Sequence, residues 1–211
     1  MKGQFIVLEG IDGCGKSTQM RYLENWLPQS GLMPKQAQLK KTREPGGTPL
    51  GNSLRELLLN PPGESSPEPT AEILLYAADR AQHISQVIQP TLHKGDWIIC
   101  DRFVGSTYAY QGYGRNLDLD LIEKLEEIAT RGLKPDMTFW LDLPVSESIK
   151  RRGERPEDRM ESEGIEFLRK VASGFAKLAK NRQWIEIDAH QPAERVSKCI
   201  EREILGHFNS K

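Results

Sequence analysis

The stretch LEGIDGCGKST, residues 8–18, follows an apolar run at residues 5–8 and precedes a segment where Met20, Leu23 and Leu27 recur at helical spacing. Gly10, four intervening residues, then Gly15, Lys16 and Ser17 satisfy the GxxxxGK[ST] pattern in the strand–loop–helix setting that the pattern requires. Glycines let the backbone wrap until its N–H groups point inward at phosphate oxygens, and the N-terminus of the following helix adds its own unpaired donors. Lys16 brings a charge for the β- and γ-phosphates, and the Ser17 hydroxyl is placed to ligate Mg²⁺. Gly10, Ile11, Asp12, Gly13, Cys14, Gly15, Lys16, Ser17 and Thr18 are therefore the candidate ATP-binding loop.

Further short apolar runs at residues 97–100, 137–143 and 184–187, and a weaker one at 37–42, alternate with longer segments of helical period, the pattern of βαβ units around a mostly parallel sheet. Leu50, Leu54, Leu57 and Leu58 space a second helix, with Thr48 as N-cap and Pro49 at its first position. A long helix is predicted over about residues 70–93, with Ile73, Ala77, Ile84, Val87 and Ile88 on one face. Residues 61–69, PPGESSPEP, read as a loop too short for a domain linker, so the 211 residues are expected to form a single domain, 1–211.

Lys and Arg number 29 against 30 Asp and Glu, so no overall charge pulls the chain onto nucleic acid or an acidic membrane, and any anion site must be local. The three cysteines, Cys14, Cys100 and Cys199, show no CxxC pair or ligand spacing, which points to a reduced compartment and no structural metal. Residues 1–20 lack a signal-peptide pattern, and no apolar stretch approaches the ~20 residues of a membrane span, so a soluble cytoplasmic protein is expected.

A loop for a triphosphate leaves open what receives the phosphate. The run DWIICDRF ends in Asp101 and Arg102, at the carboxyl edge of a buried strand, where ligands collect in open α/β sheets. Asp101 is a candidate to hold Mg²⁺ or its water, and Arg102 is either an acceptor-phosphate ligand or the partner of Asp101. Arg43 stands in TREPGGT, a turn that Pro45 stiffens and Gly46 and Gly47 open to close approach. At ~100° per residue Arg80 projects at the edge of the long helix's apolar stripe, where it needs a buried partner or a ligand, and Tyr76 lies one turn earlier. Three arginines and an aromatic from three segments suit a phosphorylated base, and a nucleoside monophosphate fits them better than water does. A last cluster, IKRRGERPEDRME, carries Arg151, Arg152, Arg155 and Arg159, either as a solvated helix end or as arginines acting on the transferred phosphoryl group.

Together LEGIDGCGKST (8–18), TREPGGT (42–48), LLYAADR (74–80), CDRFVGSTYAYQG (100–112), LKPDMTFWLD (133–142) and RRGERPEDR (151–159) resemble the bacterial thymidylate kinases, P-loop nucleoside monophosphate kinases, over essentially the whole chain. The resemblance implies a P-loop α/β/α fold with five parallel strands ordered 2-3-1-4-5, a lid at about 148–162, a cis peptide between Glu44 and Pro45, a homodimer, and transfer of phosphate from ATP with Mg²⁺ to dTMP. It also implies roles. Arg43 and Arg102 hold the monophosphate, Tyr76 stacks on the base, Arg80 meets the base edge, and Ser106 and Thr107 line the base pocket. Tyr110 crowds the sugar 2′ position and Asp12 meets the 3′-hydroxyl. Catalysis falls to Lys16, Arg102, Asp101 and a lid arginine, because Gly13 stands where other members carry one in the loop. Arg155 is the best match, with Arg151 and Arg152 as rivals. Another nucleotide or deoxynucleoside kinase on this fold is the alternative enzyme; a guanine switch would carry [NT]KxD, which is absent.

Overall fold

The computed structural model describes residues 3–63, 66–153 and 159–209. Five strands, β1 (Phe5–Glu9), β2 (Leu39–Arg43), β3 (Trp97–Asp101), β4 (Met137–Asp142) and β5 (Ile185–Asp188), form one sheet ordered β2-β3-β1-β4-β5. Every pairing is parallel, with Val7 of the central strand opposite Cys100 on one side and Thr138 on the other. β1 is buried along its whole length, which is why it reads as an unbroken apolar run. β2 is an edge strand with exposed Lys40 and Lys41, so its sequence signal is weak.

Alternate side chains of β1 feed the two faces of the sheet. Phe5 and Val7 join Ile84, Ile88 and Leu92 on one face, while Ile6 and Leu8 join Leu23, Phe175 and Ile200 on the other. Helices α1 (Lys16–Trp26), α8 (Ile165–Arg182) and α9 (Ala193–Asn209) supply this second layer. The sequence-predicted helix at 70–93 is a continuous rod of α3 (Pro69–His83), a π turn (Ile84–Ile88) and α4 (Gln89–His93). The wider turn comes just before Pro90, whose ring excludes the regular hydrogen bond to the preceding turn. In α2 (Pro49–Leu59) the expected cap is present, Thr48 Oγ1 accepting from Gly51 N at 2.9 Å. Its apolar face differs from expectation, since Leu58 is buried but Leu50 and Leu57 are 51% and 42% exposed. The Glu44–Pro45 peptide is cis.

Beyond β3 the chain runs through α5 (Val104–Thr107) into a second π turn (Tyr108–Gly114), then α6 (Leu119–Thr130). This π turn docks against α8, where Gly174 leaves space for the Tyr113 ring, a Cβ there falling 2.6 Å from it. The docking buries Tyr110 at the carboxyl edge of the sheet, beside the loop that follows β1. α7 (Val145–Arg152) follows β4 and approaches the same edge.

Candidate active site

Gly10, Gly13 and Gly15 of the loop adopt φ of 141°, 78° and 98°, a region that side-chain-bearing residues rarely enter. α1 starts at Lys16 with no side-chain cap and Thr18 N bonding back to Gly15 O at 3.0 Å, so the N–H groups ahead of Thr18 are placed to face an anion. Lys16 is buried, its Nζ donating to the Gly10 and Ile11 carbonyls at 3.0 Å each, with Cys14 Sγ at 3.7 Å. Helix α7 presses on this loop: Ser148 Oγ donates to the Asp12 carbonyl at 2.6 Å. A Cβ on Gly13 would lie 2.9 Å from the Ser148 carbonyl oxygen and 3.4 Å from Arg152 Cγ. Of the candidate lid arginines, Arg152 is thus buried against the loop, Arg151 is exposed near the His190 carbonyl, and Arg155 lies outside the described residues.

Arg102 follows β3 with φ 70°, and its N–H bonds back to Leu8 O at 2.9 Å. A left-handed arginine is strained by about 1–2 kcal/mol and survives only where surroundings over-determine it. They do here. Nη1 donates to Gly10 O (2.9 Å) and Ser106 Oγ (3.1 Å), and Nη2 to Asp12 Oδ1 (2.6 Å) and Tyr110 Oη (3.3 Å). Tyr110 Oη also donates to Asp12 Oδ2 at 2.9 Å. Burial alone would raise the Asp12 carboxyl, but Arg102 and Lys16 hold it well below the usual range. Asp12 and Arg102 thus form one half-buried charge pair.

Glu9, missed at the sequence level, ends β1 under Arg102. Burial raises its pKa while Ser106 and Arg102 oppose the shift, and it accepts from Phe103 N (3.0 Å), Ser106 N (3.2 Å) and Ser106 Oγ (2.7 Å). It fixes the start of α5 and so the place of Ser106. The strand-end logic that singled out Asp101 applies equally to Glu9, which precedes the first loop glycine.

One cleft at the sheet edge is lined by Asp12, Tyr76, Arg80, Arg102, Ser106, Thr107 and Tyr110, so seven of the predicted residues from three segments converge there. Arg80 is mostly engaged within the protein: it pairs with Glu126, Nε donates to Glu44 (2.7 Å), Nη1 to Thr107 (2.9 Å) and Nη2 to Phe103 O (3.1 Å). Against the cost of burial, Glu126 and Glu44 raise its pKa. Glu44 also takes a hydrogen bond from His83 Nδ1 at 2.8 Å, and His83 Nε2 lies 2.7 Å from Thr42 Oγ1, so the turn after β2 is clamped from beneath.

Arg43 lies in a neighbouring cavity with Ser17, Gly46, Gly47 and Asp101. Asp101 Oδ1 is buried with no hydrogen-bond partner among the described residues. A buried carboxylate oxygen without a partner, on a residue that shares a cavity with Ser17, fits a divalent cation whose other ligands are phosphate and water. No cluster of three His, Cys, Asp or Glu able to hold a metal occurs among the described residues. Likewise, none of their helices is long and apolar enough to cross a membrane.

The thymidylate kinase family profile matches residues 8–200. A thymidylate kinase of Prochlorococcus marinus (strain MIT 9313) is 62% identical over 208 residues, 99% of this chain and 96% of that one. Those of Parasynechococcus marenigrum (strain WH8102) and Synechococcus sp. (strain CC9311) are 61% and 59% identical over 205 and 203 residues, covering 97% and 96% of this chain and 98% and 96% of theirs. With a loop for a triphosphate, an arginine-lined cleft beside it, and this similarity from end to end, the chain belongs to the thymidylate kinase family.

Proposed function

We propose that the protein transfers the γ-phosphoryl group of ATP to dTMP, giving ADP and dTDP, by direct in-line transfer within a single domain. The observation that carries this reading is Arg102, whose guanidinium bridges the phosphate loop at Gly10 and Asp12 to the cleft at Ser106 and Tyr110. A cation held between donor and acceptor sites is where a transferred phosphoryl group would lie.

Lys16 and the loop amides hold the donor phosphates. Ser17 and Asp101 would hold Mg²⁺, which when bound spreads the charge of the phosphates and orients the triphosphate. Tyr76 stacks on the base, Ser106 and Thr107 meet its edge with Arg80 behind them, Tyr110 and Asp12 bound the sugar, and Arg43 with Arg102 takes the monophosphate. That phosphate is already ionised near neutral pH, so positioning and charge neutralisation suffice without a strong base. The segment 148–162 acts as a lid and contributes Arg155 to the transferred phosphoryl group, with Arg152 the rival nearest the loop. The exposed Leu50, Leu57, Leu74 and Ile128 on the adjoining α2, α3 and α6 support pairing of two copies. The reading is that of a cytoplasmic homodimer.

A coupled ADP-release assay with ATP, Mg²⁺ and each monophosphate tests the reaction. Turnover with dTMP far above dUMP, dCMP, AMP, GMP and UMP is expected, and ADP release indifferent to every monophosphate would refute it. Arg102→Ala should lower kcat/KM for dTMP by about 10³-fold or more while ATP still binds.

A further inference from the structure

Glu72, in the first turn of α3, has a side chain with 0% exposure. A carboxylate removed from water needs charged or polar partners, and Glu72 draws them from three distant places. Gln111 Nε2 of the second π turn donates to it at 2.7 Å, and Arg115, just beyond that turn, donates from Nε (3.4 Å) and Nη2 (3.2 Å). Arg159, at the end of the segment that follows α7, also donates to it and gives its Nε to the Leu58 carbonyl at 2.7 Å. Arg115 is itself fixed by Glu163 at 2.6 Å and by the Phe167 ring, 5.4 Å from its guanidinium carbon.

None of these contacts touches the phosphate loop, yet their products face the cleft. Gln111 lines it, and so does Met160, the residue after Arg159, which is only 4% exposed and stands there with Leu59, Tyr76 and Tyr110. We propose that Met160 is an acceptor-contacting, specificity-determining residue, and that Glu72 is the positioning residue that seats it there through Arg159. The inference rests on the assignment of this cleft to the acceptor base. A methylated pyrimidine presents a flat apolar face and a methyl group, and a thioether is the polarizable, adaptable side chain suited to both. Burying Glu72 between two arginines ties Arg159 to that carboxylate, because leaving a buried charge unpaired is costly.

The test is steady-state kinetics of the whole protein, varying dTMP and ATP separately. Met160→Ala should raise KM for dTMP about tenfold and leave KM for ATP within about twofold; Met160→Leu should stay near wild type. Glu72→Gln should raise KM for dTMP similarly, and in the Met160→Ala background should add little more, since both act on one contact. A merely structural Glu72 would instead move both KM values, or add fully to Met160→Ala. If Glu72→Gln does not fold, Arg159→Lys carries the positioning arm: a raised KM for dTMP supports it and an unchanged one overturns it. An unaltered KM for dTMP in Met160→Ala overturns the inference outright. Wild-type protein that ignores dTMP would instead refute the assigned reaction, which separates the two failures.

Discussion

Gly47→Ala is the sharpest structural test of how the acceptor turn is held. A Cβ at Gly47 would lie 2.4 Å from both Cδ2 and Nε2 of His83 and 2.9 Å from the Arg43 carbonyl oxygen. Real Cβ contacts do not fall so short, so either the buried imidazole leaves its bridge between Thr42 and Glu44 or the turn lifts. Overpacking of this kind costs about 1–3 kcal/mol. Losing the bond between His83 and the Glu44 carboxylate adds about 1.5–3 kcal/mol. The sum, about 2.5–6 kcal/mol, corresponds to a fall in Tm of roughly 5–25 °C for a domain of this size. Urea and thermal unfolding of wild type, Gly47→Ala, His83→Ala and the double variant measure it. With the ring removed the inserted methyl has room on that side, so its cost should shrink by about 2 kcal/mol in the His83→Ala background. Equal cost in both backgrounds would refute the clamp. Because Arg43 and Glu44 share the turn, KM for dTMP should rise with the single substitution.

Asp101→Asn should raise the Mg²⁺ concentration for half-maximal activity at least about tenfold, and an unchanged requirement would remove Asp101 from the metal site. Asp79, buried beside the turn with Oδ1 accepting from Gly46 N at 3.1 Å, is pushed up to about 6, first by burial and then by Glu44. Its folded pKa exceeds the unfolded value near 4, so the folded state binds the proton more tightly. Its stability contribution is present below about pH 4 and is lost as pH rises through 6, up to roughly 3 kcal/mol. Asp79→Asn, which keeps the acceptor oxygen, should flatten the stability profile between pH 4 and 6; a difference from wild type that is constant with pH would refute this.

The alternation of short extended runs with helical segments located all five strands to within two residues, most clearly at β1, β3 and β4, where a sheet covered on both faces demands apolar segments, and most weakly at the edge strand β2. The strand order came from resemblance, since nothing local encodes which strands are neighbours. Helical period failed where the helix itself changes period. The π turns at Ile84–Ile88 and Tyr108–Gly114 look like ordinary helix in sequence. Arg80 was legible as a cation at the edge of an apolar stripe, but its partners Glu44 and Glu126 lie 36 and 46 positions away and read as surface carboxylates. Glu72 was invisible for the same reason: its burial depends on Arg115 and Arg159 arriving from elsewhere. The shape of the glycine-rich loop was legible because it is local, a strand, positive-φ glycines and a helix start in consecutive residues.

The backbone at Arg102 has a wider meaning for improving this protein. At φ 70° glycine is the residue the local geometry prefers, by about 1 kcal/mol. Glycine there would relieve the strain but would also strip away four side-chain hydrogen bonds and leave Asp12 without its ion-pair partner, so the exchange should lower stability on balance. Selection for thermostability alone should therefore retain this arginine, because at this position the residue proposed to bridge the phosphates is also one that ties the loop after β1 to α5.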